Sequence, residues 1–544
     1  MADLGTRFQV VNDTREDSLR SALELVRAGG VLYLPPGVWT IERPGLVVPP
    51  AVELWFSPGA RLVPRSAYIE IQGSIRAGLH AIFVPSAFRV RMTGAGVPEV
   101  FPEWWGAGEV ARSRADHGMR EDDVGDDTDA VQAAFDACVD RLRGTTPRAP
   151  CAIVLSGSYR ISRPLVLGTR DLAADFPACW VVLRGQNPGG RRATFRWVAP
   201  SPQGPRSFVD TMLLLRGMPG TTLSDVSFDG GDLVGSCVAV TAPPFQTGPT
   251  SQPGGPPPSS ALWSQPCGMV SFRHCSFSGA RSRLVQLGGA TGVLLELLLP
   301  RTLDERGAGT SALGLALLRA FVAIIELQGM AQDVSATAFE GCQFRPSRPG
   351  SVAVELIALR SSPVSFSRCT FEGIARRMIL ARGGFLGLTA CRFYCRPGTS
   401  QTPLVEPEET VTDLELLPGA PGTEGTERSR ASCSVLDATS LSPRFLLARS
   451  ADLLVLPGDV TLVNVRHTPV APSTSTVESV HFDTASGVPL AGDVGDALTL
   501  VGCVLHRVRV GPGVGLVVSG GSQFLDAGVY LEDPRRTVLR SIPT

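Results

Sequence analysis

The sequence lacks lysine altogether, so all 50 basic residues are arginine. This absence excludes a lysine Schiff base, a catalytic lysine and any lysine-linked modification. A genome that favours arginine codons is one explanation, and selection against reactive amines is another. Arginine is also the cation whose planar fork best fits carboxylate or sulfate groups.

Net charge and aromatic content are both low. The net charge is −1 and aromatic residues make up 6% of the chain. Since no basic stripe carries interleaved aromatics, the sequence predicts no nucleic-acid partner. Residues 1–5 form neither a basic nor an apolar leader, and the apolar run at 312–327 contains Arg319 and Glu326. Neither a secretory signal nor membrane insertion is therefore expected.

The twelve cysteines do not form the pattern of a disulfide framework. Several recur at one position of a repeated pattern, where a reduced thiol acts as a small apolar side chain. Cys391 and Cys395 have no second pair and no neighbouring histidine, so a zinc site is not predicted. The sequence predicts no metal site and no cofactor.

One short pattern recurs: an apolar residue, two spacers, Cys or Val, one spacer, then Phe or Leu. It occurs at Leu223/Val226/Phe228, Phe272/Cys275/Phe277, Phe339/Cys342/Phe344, Phe366/Cys369/Phe371, Leu388/Cys391/Phe393, Val477/Val480/Phe482 and Leu500/Cys503/Leu505. The Cys-x-Phe spacing is the period of two of a strand, which places Cys and Phe inward and the residue between them outward. Cys369 and Cys391 are 22 residues apart. Repetition at this period predicts a solenoid whose coils rise ~4.8 Å each.

A helix followed by two strands is predicted twice. The first helix has an apolar side formed by Leu19, Ala22, Leu23 and Val26. The second is capped by Asp127 or Thr128, and its apolar side contains Val131, Ala134, Phe135, Cys138, Val139 and Leu142. The turns that follow share their chemistry, Leu34/Gly37/Trp39 in one copy and Leu155/Gly157/Tyr159 in the other, which indicates a duplication.

The motif Asp126-Asp127-Thr128, with Phe101-Pro102-Glu103-Trp104-Trp105-Gly106-Ala107 upstream, resembles the N-terminal signature of pectate-lyase-like proteins, a group that includes phage tailspikes and polygalacturonase-related proteins. The resemblance implies an all-β fold, a single-stranded right-handed parallel β-helix whose short cap helices cover open strand edges. The predicted organisation is a smaller β-helix-like module at 1–98, a linker and cap helix at 99–150, and the main β-helix at 151–544. Low-complexity loops are predicted at about 242–266 and 406–431.

Polar residues at the predicted coil corners form the candidate site. Because glycoside hydrolysis needs facing carboxyl groups and lyase chemistry needs a base, the catalytic candidates are Asp225, Asp229, Asp232 and Glu372. The substrate-binding candidates are Arg273, His274, Arg345, Arg368 and Tyr394. Together they are expected to form one polar ribbon along the solenoid, although ordinary turn chemistry also explains Asp-Gly at a corner.

Three functions fit these residues. The first is a tailspike-like protein that binds, and in a variant of this hypothesis cleaves, a polysaccharide. The second is a non-catalytic structural or adhesive component of a larger assembly, such as a phage tail or injection particle. The third is a polysaccharide lyase or glycoside hydrolase with an unfamiliar site.

The resemblance transfers no catalytic residue. The Gly-His-Gly and Arg-Ile-Lys motifs of polygalacturonases are absent from the sequence, and the acidic cluster at 225–232 matches the calcium site of pectate lyases only loosely. By analogy the resemblance also implies a homotrimer. The chain is expected to be cytoplasmic at synthesis or to travel in a phage or injection particle.

Overall fold

The computed structural model confirms the predicted all-β, parallel β-helix fold. It describes residues 8–65, 68–85, 90–108, 125–144, 151–168, 180–186, 192–199, 211–216, 218, 220–241, 268–288, 336–357, 363–382, 385–395, 412–417, 432–441, 446–448, 459–468, 480–482, 497–511, 514–531 and 538–541. The chain divides into two compact units, residues 1–203 with 218–227 and residues 204–217 with 228–544.

The first unit contains short parallel strands, two α-helices and one 3-10 helix among its described residues. The helices are Glu16–Val26, Thr128–Gly144 and, as the 3-10 turn, Pro102–Trp105. The strands are Phe8–Val10, Gly30–Leu34, Gly37–Ile41, Leu46–Val48, Val52–Phe56, Ala60–Pro64, Ile69–Ile71, Ser74–Arg76, Val90–Met92, Glu99–Val100, Cys151–Leu155, Ser158–Ile161, Leu165–Gly168, Val181–Gly185, Ala193–Trp197 and Thr222–Ser224.

The predicted duplication is visible in the packing of the two helix-then-strand segments. Leu19, Ala22, Leu23 and Val26 of the first helix are all buried. After each helix, an aromatic residue two positions beyond a glycine is buried and hydrogen bonded. Trp39 donates from Nε1 to the Asp13 carbonyl at 3.0 Å, and the Tyr159 hydroxyl donates to the Glu103 carboxylate at 2.7 Å.

The second helix is attached to the first unit through the predicted acidic signature. It begins at Thr128, so Asp127 stands at the N-cap position. The Asp127 carboxylate accepts the backbone N–H groups of Gly108 at 2.7 Å and of Arg160 at 3.0 Å. Thr128 accepts the N–H of Ser162 at 2.9 Å. The motif therefore connects the helix to the strand Ser158–Ile161 and to the turn after the 3-10 helix.

The second unit is a stack of coils with three strands each, and the strands of successive coils pair in parallel. Strands of the first face are Ser271–Arg273, Thr337–Glu340, Pro363–Ser367, Phe385–Thr389, Ser432–Leu436, Asp459–Val463, Ala497–Val501, Gly515–Ser519 and Val538–Ser541. Strands of the second face are Gln343–Arg345, Thr370–Gly373, Arg392–Cys395, Thr439–Ser440 and Arg466–His467.

The third face completes each coil. Its strands are Thr211–Arg216, Val352–Ile357, Arg377–Arg382, Thr412–Leu417, Leu446–Ala448 and Val480–Phe482. Four longer strands bend and contribute to both the second and the third face; they are Val226–Thr241, Ser276–Leu287, Val504–Val510 and Gln523–Leu531.

Two ladders of stacked rings fill the core of the second unit. Phe228, Phe277, Phe344, Phe371 and Phe393 stack with centroid separations of 4.7–5.4 Å. Beside them, Phe272, Phe339 and Phe366 stack at 4.6 and 4.7 Å. Rings of the two ladders meet edge to face or at a tilt, which is a favourable arrangement for aromatic pairs.

Thiols form a third inward column, as predicted. Cys342, Cys369 and Cys391 point their sulfur atoms at the carbonyl of a phenylalanine on the preceding coil, at 3.4–3.5 Å. The nine cysteines whose side chains the structure describes are free and buried. For these nine, the prediction of reduced core thiols is confirmed.

One assigned repeat is wrong. Val480 pairs with Leu446 and Val508 on the third face, whereas the pattern Val477/Val480/Phe482 puts it in the column of Cys503. The coils between Cys391 and Cys503 instead carry Ala438 and Val465 at the cysteine position. Their residues at the phenylalanine position are Ser440 and His467, both buried. Polar residues at this inward position hide the repeat from a hydrophobic pattern.

The loop predicted at 406–431 needs a correction, since residues 412–417 form a strand. This strand pairs in parallel with Arg377–Arg382, with Leu414 opposite Ile379. The reason is local: Thr412-Asp413-Leu414-Glu415-Leu416 alternates polar and apolar residues within an acidic stretch. The loop predicted at 242–266 and the apolar run at 312–327 lie outside the described residues.

Interrupting the phenylalanine ladder should destabilise the second unit. Phe344 stacks between Phe277 and Phe371, so Phe344→Ala opens a cavity within a continuous column. We expect a loss of about 3–5 kcal/mol in the free energy of unfolding, measured by urea denaturation. Phe344→Leu keeps most of the volume and should lose less. Equal losses for the two variants would contradict a packing role.

Asp127 should give the first unit a specific pH dependence. Burial raises its pKa, Asp126 and Glu103 also act to raise it, and its two backbone donors oppose the shift. A raised pKa means that its stabilising contribution is complete below the unfolded value of 3.8 and is lost as pH rises through the folded value. Asp127→Asn stays neutral, so its melting temperature relative to the parent should increase between about pH 4 and about pH 7.

Asp127→Ala provides the control, because it removes both acceptors and should be less stable at every pH by about 2–4 kcal/mol. A difference between Asp127→Asn and the parent that stays flat across this pH range would show that Asp127 has no raised pKa.

Candidate functional site

The accessible sheet surface of the second unit lies on its first and second faces. On the third face both alternating sets of side chains are buried in several coils, as in all six residues of Thr211–Arg216, whereas Tyr530 in a later coil is 48% exposed. The same pattern occurs in a later coil, where consecutive residues of Arg377–Arg382 are buried: Met378, Ile379, Leu380 and Ala381. By contrast, outward residues of the first and second faces are half-buried or exposed in most coils. A large ligand therefore has access to these two faces.

The two accessible faces meet at a one-residue corner in the left-handed conformation. In successive coils it is occupied by His274, Gly341, Arg368, Ala390, Asp437, Asn464 and Gly502, with φ between 51° and 61°. Each corner N–H donates to a carbonyl of the next coil, as His274 does to Glu340 at 2.8 Å. We call this column the αL corner. Side chains there project from a position that favours glycine.

Charged residues cluster where the first face reaches the αL corner. Arg273 and Glu340 are directly opposite each other on neighbouring strands. Glu340 forms an ion pair with Arg368, and its Oε2 lies 4.0 Å from Nε of Arg273. One carboxylate thus holds two exposed guanidinium groups from different coils. His274 packs over Gly341 in the same corner, where an added Cβ would come within 2.9 Å of its ring.

A second charged column lies on the second face. It consists of Ser278, Arg345, Glu372 and Tyr394, which are neighbours in register. Nε of Arg345 lies 3.8 Å from Oε2 of Glu372, and both side chains are at least a third exposed. The column predicted after the inward phenylalanine therefore exists in the order that the sequence spacing gave.

The three aspartates hold different positions, and Asp229 follows Phe228 just as Ser278 follows Phe277, which stacks on Phe228. Asp232 stands at the next corner with φ 58° and accepts the Ser347 hydroxyl at 2.6 Å, and Arg348 approaches it at 3.7 Å. Asp229 accepts the N–H of Gly231 at 3.1 Å, an ordinary turn contact. Asp225, which belongs to the first unit, has φ 57° and holds the same position of its coil as His274 and Arg368, between the strand Thr222–Ser224 and Val226. The predicted single ribbon is thus divided among several corners and faces.

Glycoside hydrolysis needs two carboxyl groups on opposite sides of one scissile bond. Glu340 and Glu372, the glutamates of the two charged columns, lie on different faces, and each lies beside an arginine. Within the described residues, no three His, Cys, Asp or Glu side chains gather closely enough to hold a metal ion.

The core thiols are poorly suited to nucleophilic chemistry. Burial raises the pKa of the Cys237 and Cys433 thiols to about 12, so they remain protonated at neutral pH.

In the part of the chain that the structure describes, no helix is long and apolar enough to cross a membrane.

Sequence reasoning missed Glu340, Ser347 and Arg348. Glu340 was detectable, because it precedes Cys342 by two residues just as Arg273 precedes Cys275. Ser347 and Arg348 come from a turn whose contact with Asp232 spans 115 and 116 residues of sequence. No local pattern signals such a contact.

No protein-family model matches the chain, and no curated protein matches its sequence. Solved structures with a similar fold include Geobacillus virus E2 ORF18, at 9% identity and a TM-score of 0.35, over 82% of this chain and 61% of that one. The Streptococcus pneumoniae surface protein and adhesin PfbA is 10% identical, with a TM-score of 0.32, over 98% of this chain and 100% of that one. The Acinetobacter baumannii phage AM24 tailspike protein is 12% identical, with a TM-score of 0.31, over 80% of this chain and 55% of that one.

The chain spans about three fifths of the length of the first of these structures. At such identities and TM-scores the likeness assigns no activity to this chain.

Substitutions of Arg368 should separate the cost of the left-handed backbone from the contribution of the ion pair. A left-handed backbone costs an L-residue roughly 1–2 kcal/mol, whereas an exposed ion pair contributes at most about 1 kcal/mol. We therefore expect Arg368→Gly to keep or raise the free energy of unfolding, by up to about 1 kcal/mol. Arg368→Ala loses the ion pair and keeps the strain, so it should be the less stable variant in urea denaturation.

Gly341→Ala is the control, since it places a Cβ at φ 61° against His274 and should destabilise. If Arg368→Ala proved as stable as Arg368→Gly, backbone strain at the corner would be negligible.

Proposed function

We propose that the chain binds a polysaccharide along the αL corner of the second unit. The observation that supports this most strongly is the ordered array of arginine, glutamate and tyrosine side chains on both sides of the corner. Arg273, Glu340 and Arg368 line one side, and Arg345, Glu372 and Tyr394 line the other. They stand on successive coils of a rigid stack, ~4.8 Å apart.

A regular polymer suits a regular support. Successive coils present their outward residues at a constant spacing. Groups that repeat along an extended glycan can therefore meet groups that repeat along the protein. Glutamate oxygens accept hydrogen bonds from sugar hydroxyls, and arginine donates to ring, hydroxyl or anionic oxygens. Tyr394 adds an aromatic body with a polar end to the same column.

Pre-ordering supports the same proposal. Long arginine side chains lose rotamer freedom when they bind, and this loss weakens affinity. Glu340 holds Arg368 and approaches Arg273, and Glu372 approaches Arg345, before any ligand arrives. Part of the ordering cost is therefore already met in the free protein.

The proposal covers the family and the assembly as well. We infer from the Asp126-Asp127-Thr128 signature and its cap contacts that the chain is a tailspike-like member of the pectate-lyase-like group. Polysaccharide recognition is its function in this proposal, and cleavage is a separate property that the same experiment measures. A homotrimer and a place in a phage particle remain predictions.

The test is binding to a panel of neutral and acidic polysaccharides by affinity electrophoresis and calorimetry. Arg345→Ala and Arg368→Ala should each weaken binding by about tenfold, a typical effect of losing one charge-assisted contact. Arg466→Ala is the matched control, because Arg466 is exposed on the same face but lies coils beyond the charged cluster. Its affinity should equal that of the parent.

New reducing ends and new unsaturated uronates are followed in the same samples. Their appearance, and its loss in Glu372→Gln, would add a catalytic role to the site. No binding across the panel would contradict the proposal and favour a structural or adhesive role.

A further inference from the structure

A separate exposed patch lies on the first unit, on the sheet formed by Phe8–Val10, Gly30–Leu34, Val52–Phe56 and Ser74–Arg76. Two outward columns cross this sheet. One contains Val10, Tyr33, Trp55 and Arg76, and the other contains Phe8, Val31, Glu53 and Ser74. We call these eight residues the N-terminal patch.

The centre of the N-terminal patch is aromatic. The rings of Phe8 and Tyr33 stack at 6.1 Å, and Trp55 meets Tyr33 edge to face at 5.8 Å and Phe8 at 6.3 Å. The guanidinium of Arg76 covers the Trp55 ring at 4.4 Å. Phe8 is 56% exposed and Val10 is 37% exposed. Contiguous apolar surface of this kind, containing Trp, Tyr and Arg, is typical of the centre of a protein interface.

Two charges in the N-terminal patch have no counter-ion among the described residues. Within the described part of the chain, neither Arg76 nor Glu53 forms an ion pair; the Arg76 contact is with Trp55. Other arginines of the same module do pair, Arg20 with Glu16 and Arg43 with Asp17. The patch therefore combines an apolar centre with one unmatched cation and one unmatched anion.

We propose that the N-terminal patch binds the same patch of a second copy of this chain. A two-fold interface is self-complementary, since residue i of one copy meets residue j of the other and the reverse holds as well. An axis passing beside Trp55 would place Arg76 opposite Glu53 of the second copy, twice, with the aromatic centres packed between. Both unmatched charges then find partners, which a purely acidic or purely basic partner would not provide.

The ring arrangement argues against a sugar at this place. A sugar ring stacks on an open aromatic face, but the Trp55 ring lies between Arg76 and the Tyr33 ring, and the Phe8 and Tyr33 rings stack on each other. Arg76 thus covers one face of the Trp55 ring, and the Phe8 and Tyr33 rings cover part of each other. Ring edges and a guanidinium remain at the surface, which suits a second protein surface.

The test is the mass of the full chain by light scattering and sedimentation equilibrium, over a roughly hundredfold range of concentration. The parent should approach twice the mass of the dissociated species, whether that species is the single chain of 57.5 kDa or the homotrimer that the resemblance implies. Arg76→Glu and Glu53→Arg each place like charges opposite each other, so each alone should raise the dissociation constant by about tenfold or more. Trp55→Ala should do the same by removing the apolar centre.

Mixing decides the pairing. Arg76→Glu mixed with Glu53→Arg restores opposite charges at both contacts, so the mixture should dimerise with the affinity of the parent, as should the double variant Glu53→Arg/Arg76→Glu. The matched control is Arg91→Glu, because Arg91 covers Tyr68 at 4.0 Å on a different sheet of the same module. It should leave the dimer unchanged.

Any of three association results would overturn the proposal. They are a parent whose mass does not double at any concentration, single variants that associate like the parent, and weakened single variants that do not recover on mixing. Loss of polysaccharide binding in Trp55→Ala would also overturn it, by showing that a glycan occupies the N-terminal patch.

Discussion

The structure depends on the stacking of inward side chains that occupy equivalent positions in successive coils. Parallel hydrogen bonds fix the height of every residue, and the inward columns of phenylalanine and cysteine fix the register. A shift of one residue would turn every inward ring to solvent, so the register is strongly specified. Outward side chains inherit this order, which explains why Arg345, Glu372 and Tyr394 form a column without contacting the core.

The αL corner shows how that order is used. A turn of one residue brings two faces together, and it requires a backbone conformation that suits glycine. His274 and Arg368 nevertheless occupy it, beside glycines at 341 and 502. Strained residues that persist in this way concentrate at functional positions.

Sequence reasoning predicted the regular coils correctly, and it failed where polar residues replace the apolar residues of the repeat. The Cys-x-Phe spacing and the helix caps follow from local periodicity, so the fold and the column at Arg345, Glu372 and Tyr394 were predictable. Ser440 and His467 replace phenylalanine inside the core, and this substitution misdirected the assignment of Val480 to the third face. The partners of Asp232 come from a distant turn, which no spacing rule can reveal.

Charge pairing distinguishes the two surfaces that carry the proposals. In a chain without lysine every cation is an arginine, whose fork can hold a carboxylate and lie flat on an aromatic ring. Around the αL corner the arginines already have carboxylate partners, so a ligand meets an ordered and nearly neutral array. In the N-terminal patch Arg76 lies on Trp55, and Glu53 forms no ion pair with any residue that the structure describes. Unmatched charges beside apolar area are better satisfied by a fixed protein surface than by a hydrated glycan, since only the former excludes water from both at once.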